Sequence, residues 1–181
     1  MIRNTKLIFL SVIIPFLFSL YGLFIKNYDI FLNSLYSLLL ITALLFLYKK
    51  FPIFKKGSLY SIIIFILLSV FAGKALRFYF IVPYWDKILH FISGFIIASV
   101  GREIIEKKEK SINSKTHFFK NLFIFIFCVA IAGLWELFEF SSDSILNTNA
   151  QNNSLSDSMC DMIAGSISAL LYIFYSFFVH L

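Results

Sequence analysis

Six apolar runs, each about 20 residues long, constrain this chain more than any other feature of its sequence. That is the length an α-helix needs to cross the hydrocarbon core of a bilayer. Backbone N–H and C=O groups find no water there, so a spanning segment must satisfy them within a helix. The chain is 60% hydrophobic and 14% charged, whereas soluble domains are close to half apolar and a quarter charged. The sequence therefore predicts an all-α, polytopic transmembrane helical bundle.

The predicted helices follow the ends of these runs. Their expected bounds are about 7–25, 30–48, 58–78, 85–101, 118–140 and 157–180. The first run follows Arg3 and Lys6, as in a signal peptide, but no small-x-small cleavage site comes after it. We therefore expect a retained first helix. Because no long linker interrupts the series, residues 1–181 are predicted to form a single integral membrane domain.

The net charge of +6 comes from lysine and arginine residues concentrated in particular loops. With the N-terminus inside, the inner segments carry 12 of them and the outer segments 4. This asymmetry predicts a bacterial cytoplasmic-membrane protein with both termini in the cytoplasm and the loop 141–156 outside. The charge is thus a topology signal, and we expect the lipid bilayer, not nucleic acid, as partner.

Acidic residues concentrate at the predicted outer ends of the last three helices, where helical spacing places each set on one face. The sets are Asp86 with His90, then Glu136, Glu139 and Asp143, then Asp157 and Asp161. Helix rise sorts most of them into two layers. Asp86, Glu139 and Asp157 form the outer layer, and His90, Glu136 and Asp161 form the deeper one. One residue from each of three helices at a shared depth is a common way to build a site in a bundle.

Simpler explanations cover part of this cluster. Ser154 and Asp157 fit a capping box, in which the acid is favoured at a helix N-terminus. Asp86 can pair with a nearby lysine, and Glu139 can lie in interfacial water. Glu136 and Asp161 have the weakest explanation of this kind, because they lie deeper, where an acid at the bilayer centre costs about 2.5–3.5 kcal/mol.

Small residues spaced four apart on two of these helices predict that the helices pack closely together. Gly94 and Ala98 lie on the fourth predicted helix, and Gly165 and Ala169 on the sixth. This spacing lets helix backbones approach closely. It would bring His90 and Asp161 near each other.

Three motifs of this region resemble those of the YjdF-like family of small bacterial integral membrane proteins, and more distantly the VanZ-like proteins linked to teicoplanin resistance. They cover about half of the chain, residues 84–170. The motifs are Trp85-Asp86-Lys87-Ile88-Leu89-His90-Phe91 with Gly94, Trp135-Glu136-Leu137-Phe138-Glu139, and Asp157-Ser158-Met159-Cys160-Asp161. These families usually carry Asn and Gly at the fourth and seventh positions after the last aspartate, where this chain has Gly165 and Ser168. The resemblance implies the membrane architecture and the motif residues, and no particular reaction.

Three functional interpretations stay open, and a non-catalytic role is the favoured one. The cluster either binds a cation, a lipid head group or an envelope ligand without catalysis, or serves as a structural ion-pair network. A proton or cation path through the membrane is the least favoured option, because the inner halves of these helices offer few polar residues.

The alternative interpretation is a metal-dependent membrane enzyme acting on a phosphorylated lipid at the outer leaflet. Its divalent metal ion would be held by His90, Glu136 and Asp161, with Asp86 behind His90. Asp157 or Glu139 would be the general base. The head group of a phospholipid or polyprenyl phosphate would be bound by Lys74, Arg77, Asp86 and Lys87.

Overall fold

The computed structural model describes residues 5–52, 54–109, 117–151 and 154–179. Within these ranges the chain forms seven α-helices and no strand, which confirms the all-α prediction. The helices are α1 (Thr5–Phe24), α2 (Tyr28–Lys50), α3 (Lys56–Ile66), α4 (Phe78–Ile81), α5 (Trp85–Glu109), α6 (His117–Leu146) and α7 (Leu155–Val179). The predictions that concern Arg3, the loop residues 110–116 and position 180 fall outside the described ranges.

Six of the described helical stretches are long and apolar enough to cross a membrane, as predicted. They are Thr5–Phe24, Tyr28–Lys50, Lys56–Ala75, Trp85–Lys108, His117–Ile145 and Leu155–Ser176. The third of these contains two kinds of helix, because α3 continues without a break as a π-helix over Leu67–Ala75. The sequence predicts one helix to residue 78, but the π-helix ends where Arg77 adopts a left-handed conformation with φ of 63°.

α5 and α6 each end later in the chain than predicted. α5 continues to Glu109 instead of 101, because the glutamates and lysines that follow Arg102 are good helix formers. α6 continues to Leu146 instead of 140 and ends where Asn147 adopts a φ of 53°. Asparagine is one of the few non-glycine residues that enter this region readily. The polar loop expected over 141–156 therefore begins only at Asn147.

The chain divides into two compact units, residues 1–85 and 86–181. In the first unit, α1 packs closely on α2 through small side chains. A Cβ atom added at Gly22 would lie 3.0 Å from the Phe31 Cα atom. The buried residues of α1 are Ser11, Pro15, Ser19 and Gly22, and those of α2 are Ser34, Ser37 and Ile41. The organisation of both units as one domain stays a prediction.

The second unit contains α5, α6 and α7, which share a small apolar core. Its buried members are Ala98, Ile124, Cys128 and Ala169. A Cβ atom added at Gly94 would lie only 3.1 Å from the Gly165 carbonyl carbon, so the backbones of α5 and α7 are in direct contact. The expectation from small-residue spacing is thus confirmed, and this contact positions the polar residues of the two helices.

Candidate functional site

The polar residues of α5, α6 and α7 meet at one end of the second unit. α5 and α7 begin at this end, with Asp86 and Asp157 in their first turns, and α6 ends there. His90 and Asp161 each follow one turn farther along their helices. We call the set Asp86, Lys87, His90, Glu136, Asp157 and Asp161 the acid–histidine cluster.

His90 lies among three carboxylates, one from each helix. Its Nε2 atom is 3.7 Å from Asp86 Oδ1, 4.0 Å from Glu136 Oε1 and 4.0 Å from Asp161 Oδ1. These distances bring the predicted deeper layer of His90, Glu136 and Asp161 together. All three are longer than a hydrogen bond, so His90 Nε2 lies near these carboxylates without a direct hydrogen bond to them.

Lys87 connects α5 to α7 on the other side of Asp161. Its Nζ atom is 2.5 Å from Asp157 Oδ1 and 2.8 Å from Asp161 Oδ2. Lys87 thus neutralises part of the acidic charge of α7. On Asp161, Lys87 donates to Oδ2, whereas Oδ1 lies 4.0 Å from His90 Nε2.

Several oxygens of the cluster are buried without a hydrogen-bond partner. Asp161 is 2% exposed and its Oδ1 has none. Glu136 is 6% exposed, and neither of its carboxylate oxygens has one. Such a group costs roughly 1–3 kcal/mol when neutral and more when charged. Buried oxygens without a protein partner are groups that water, a proton, an ion or a ligand can satisfy.

The arrangement offers a set of ligand atoms for a metal ion. Among the described residues, atoms of Asp86, His90 and Asp161 all lie within 4.8 Å of one another. Two ligands on opposite sides of one ion lie about 4–5 Å apart when each is about 2.1–2.6 Å from the ion, and ligands of tetrahedral Zn²⁺ lie closer together, at about 3.3 Å. The spacing is therefore compatible with one shared divalent ion, and the histidine nitrogen favours a transition metal over Ca²⁺, which prefers oxygen ligands.

The geometry offers a second possible role for Asp86, while the predicted ligand set of His90, Glu136 and Asp161 stays a prediction. The sequence places Asp86 behind His90 and puts Glu136 among the metal ligands. In the structure the Asp86 carboxylate belongs to the ligand-spaced group. Glu136 is not a member of that group, and its Oε1 atom lies 4.0 Å from His90 Nε2. The spacing of Asp86 and His90 alone could not decide this, because it depends on how the three helices rotate against one another.

The two predicted general bases have other partners. Asp157 binds Lys87, and its backbone N–H donates to Ser154 Oγ at 3.3 Å, as expected at a helix N-terminus. Glu139 Oε1 accepts a hydrogen bond of 2.8 Å from Trp135 Nε1. A catalytic role for either residue stays a prediction.

The predicted ligand-binding cations fall into different units. Lys87 lies in the cluster, where its ammonium group is engaged by carboxylates. Lys74 and Arg77 belong to the first unit, at the end of its π-helix. Their participation in a head-group site therefore stays a prediction.

Two sets of hydrogen bonds near the connection between α6 and α7 are not evident from the sequence. Gln151 Nε2 donates to Ser158 Oγ at 2.8 Å and to the Glu136 backbone carbonyl at 3.3 Å. The Asp143 carboxylate accepts from Thr148 Oγ1 and from the backbone N–H groups of Ala150 and Gln151. Asp143 thus anchors the connection and is not part of the cluster. An asparagine-rich stretch after an aspartate is a signal of such a turn, although it does not identify the partners.

A groove runs along α6 and α7 beside the cluster. Its volume is about 1020 Å³, and Glu136 is the residue it shares with the acid–histidine cluster. Its described lining is Ala130, Gly133, Leu134, Glu136, Leu137, Phe140, Asp143, Ser144, Gln151, Ser154, Leu155, Ser158, Met159 and Met162. We call it the α6–α7 groove.

These features define a polytopic helical membrane protein whose last three helices carry a buried acid–histidine cluster. The chain belongs to the family described as "Predicted membrane protein (DUF2238)", whose model matches residues 5–181.

A protein of Thermotoga maritima described as "Uncharacterized protein" is similar to part of the chain. The two are 35% identical over 91 residues, which is 50% of this chain and 46% of the relative. The match thus spans about half the length of that curated relative. No solved structure gives a significant match.

Proposed function

We propose that this protein binds a divalent cation in the membrane through Asp86, His90 and Asp161. The observation that carries the proposal is the buried, unpartnered Oδ1 atom of Asp161, which lies 4.0 Å from His90 Nε2 inside the ligand-spaced group. A cation there would satisfy this oxygen.

Charge balance supports the same proposal. Four carboxylates belong to the cluster, and within the second unit the cation that the described contacts place against them is Lys87. A bound divalent ion would compensate two of the three remaining negative charges in a low-dielectric setting, where buried carboxylates are costly. A neutral His90 can then act as a ligand.

We place the cluster at the outward face of a bacterial cytoplasmic membrane, with both termini in the cytoplasm. The support is the lysine and arginine asymmetry of the loops, with 12 on the inner and 4 on the outer segments. The cation would then come from the cell exterior.

A metal-dependent enzyme acting on a phospholipid or polyprenyl phosphate is the second candidate. The α6–α7 groove favours it, because a lipid could reach the edge of the cluster at Glu136. In that case the ion would polarise a phosphate oxygen, and Asp157 or Glu139 would accept a proton.

The experiment that tests the proposed function is the metal content of detergent-purified protein, prepared without chelator and with Mn²⁺, Zn²⁺ or Ca²⁺ added. We expect near-stoichiometric metal in wild type and in the control Asp143→Asn, whose carboxylate holds the neighbouring connection. Asp161→Asn and His90→Ala should lose it. Metal-free wild-type protein under all three conditions would refute the proposal.

A thermal shift separates metal loss from misfolding. A ligand present at 100 times its Kd stabilises the folded state by about 2.7 kcal/mol. Added ion should therefore raise the melting temperature of wild type and of Asp143→Asn, and leave that of folded Asp161→Asn unchanged. An equal rise in Asp161→Asn would exclude this residue as a ligand.

A further inference from the structure

The ammonium group of Lys87 is held by acceptors from two successive turns of α7. Its Nζ atom donates to Asp157 Oδ1 at 2.5 Å, to Asp161 Oδ2 at 2.8 Å and to the Asp157 backbone carbonyl at 3.4 Å. A lysine ammonium group has three N–H donors, so each of them has an acceptor here. Lys87 is therefore held beside Asp161 by all of its donors.

This arrangement divides the two carboxylate oxygens of Asp161 between different partners. Oδ2 accepts from Lys87, whereas Oδ1 lies 4.0 Å from His90 Nε2 and has no hydrogen-bond partner among the residues that the structure describes. Asp161 is 2% exposed, so bulk water does not compete for either oxygen. One oxygen of Asp161 is thus available to the ligand-spaced group of Asp86, His90 and Asp161, and the other is already paired with a cation.

A metal ion that took both oxygens of Asp161 would lie close to the Lys87 ammonium group. At a Ca²⁺–oxygen distance of about 2.3–2.6 Å from Oδ2, the ion would be within about 5 Å of Nζ. Two positive charges repel strongly at that separation in a setting of low dielectric constant. An ion held by Oδ1 alone, on the side of His90, can lie farther away. Lys87 therefore favours coordination by one oxygen of Asp161.

The number of available ligand atoms separates two classes of divalent ion. Ca²⁺ takes about 6–8 oxygen ligands and often uses both oxygens of a carboxylate. Zn²⁺ is tetrahedral, and its open sites use three protein ligands. Asp86, His90 and a one-oxygen Asp161 supply three ligand atoms when each residue offers one. This number suits Zn²⁺ and leaves Ca²⁺ short of ligands.

We propose that Lys87 determines the metal selectivity of the site: by holding Oδ2 of Asp161, it makes the site select Zn²⁺ over Ca²⁺. The inference rests on the proposed function, since it requires a divalent ion on Asp86, His90 and Asp161. Lys87 does not touch the ion in this role. It positions Asp161 and adds a positive charge that opposes binding through two oxygens.

The test measures the dissociation constants of Zn²⁺ and of Ca²⁺ by isothermal titration calorimetry of detergent-purified protein without a histidine tag. The diagnostic quantity is the ratio of the Ca²⁺ constant to the Zn²⁺ constant. We expect Lys87→Met to lower this ratio by about tenfold, which corresponds to about 1.4 kcal/mol, because Asp161 can then bind Ca²⁺ through both oxygens. Lys56→Met, which removes a lysine of the first unit, should leave the ratio unchanged.

The ratio separates positioning from a general change in charge or stability. Loss of one positive charge strengthens the binding of both divalent ions, and partial misfolding weakens both, so these effects largely cancel in the ratio. Lys87→Arg keeps the charge and the donors, and its ratio should stay closer to that of wild type than to that of Lys87→Met. A ratio in Lys87→Arg as low as in Lys87→Met would contradict the role of the charge.

A double variant keeps the proposal falsifiable if Lys87→Met fails to fold. Lys87→Met with Asp157→Asn removes a charge from both sides of the pair, which costs less than breaking one side. It should lower the ratio as Lys87→Met does. An unchanged ratio in either folded variant would overturn the proposal, as would a wild type that prefers Ca²⁺. A wild type that binds neither ion would instead refute the proposed function.

Discussion

Lys87 determines how the acidic charge of the second unit is distributed. Its Nζ atom binds Asp157 and Asp161 at the same time, so one ammonium group joins two turns of α7 to α5. Asp161 is 2% exposed, and the loss of its partner would leave a charge in a nearly dry setting. Breaking one side of a buried pair is more costly than replacing both sides.

We therefore expect Lys87→Met to reduce the free energy of unfolding by about 3 kcal/mol. The double variant Lys87→Met with Asp161→Asn should recover part of this loss, because the uncompensated charge is removed. Lys56→Met, at an exposed position in the first turn of α3, is the control and should change little. Equilibrium unfolding in detergent measures all three, and a Lys87→Met variant as stable as the control would show that the ion pair contributes nothing.

Asp143 should matter for the connection and not for the cluster. Asp143→Ala removes the acceptor for Thr148, Ala150 and Gln151, so the connection loses the hydrogen bonds that hold it against the end of α6. We expect limited proteolysis to cut the connection after Asn147 faster in this variant. Asp143→Asn retains an acceptor oxygen and should be cut at an intermediate rate. Unchanged cleavage in Asp143→Ala would contradict the anchoring role.

The contact between α5 and α7 depends on the lack of a side chain at Gly94. A Cβ atom there would meet the Gly165 backbone, whereas one at Gly133 would meet only the Met162 Cε atom at 3.6 Å, an ordinary contact. Both glycines lie inside helices, so they differ in packing and not in backbone conformation.

This pair of glycines gives a matched test. Alanine is favoured over glycine in a helix by about 1 kcal/mol, so Gly133→Ala should be neutral or stabilising. Gly94→Ala should destabilise despite the same gain, and should also reduce metal binding, because α5 and α7 move apart. The measurements are melting temperature and metal content. Equal melting temperatures for the two variants would mean that the helices adjust without cost.

The six membrane-spanning helices could be predicted from the sequence, because length and apolarity determine which segments can span a bilayer. The ends of α5 and α6 could not be predicted. The charged helix formers after Gly101 and the polar residues after Phe140 mark the end of the apolar run and not that of the helix. The π-helix before Arg77 was not predicted either, because its mostly apolar residues continue the apolar run of α3.

The site could be predicted only in part, because helical spacing does not determine how each helix is rotated about its own axis. Helical spacing predicts that His90, Glu136 and Asp161 lie at one depth. In the structure Glu136 Oε1 and Asp161 Oδ1 are each 4.0 Å from His90 Nε2. Spacing could not show that Lys87 points to α7, or that Asp86 enters the ligand-spaced group. These facts depend on side-chain direction after packing.

The complete chain should cross the membrane six times, with both ends on the cytoplasmic side. Single cysteines placed in a variant lacking Cys128 and Cys160 test this. A membrane-impermeant maleimide should label Asn149→Cys in intact cells, and Lys55→Cys only after lysis. The opposite pattern would invert the topology and place the cluster at the cytoplasmic face.

The hydrogen bonds of Gln151, which join α6 to α7, have a consequence for how the protein assembles during synthesis. These two helices form a local hairpin, held at its turn by Gln151, and can insert together soon after translation. Their acids stay uncompensated until α5 docks and brings Lys87. A hairpin that fails to recruit α5 therefore carries two carboxylates facing lipid, at a cost of a few kcal/mol. Formation of the Lys87 ion pairs would thus be a late step in the assembly of α5, α6 and α7.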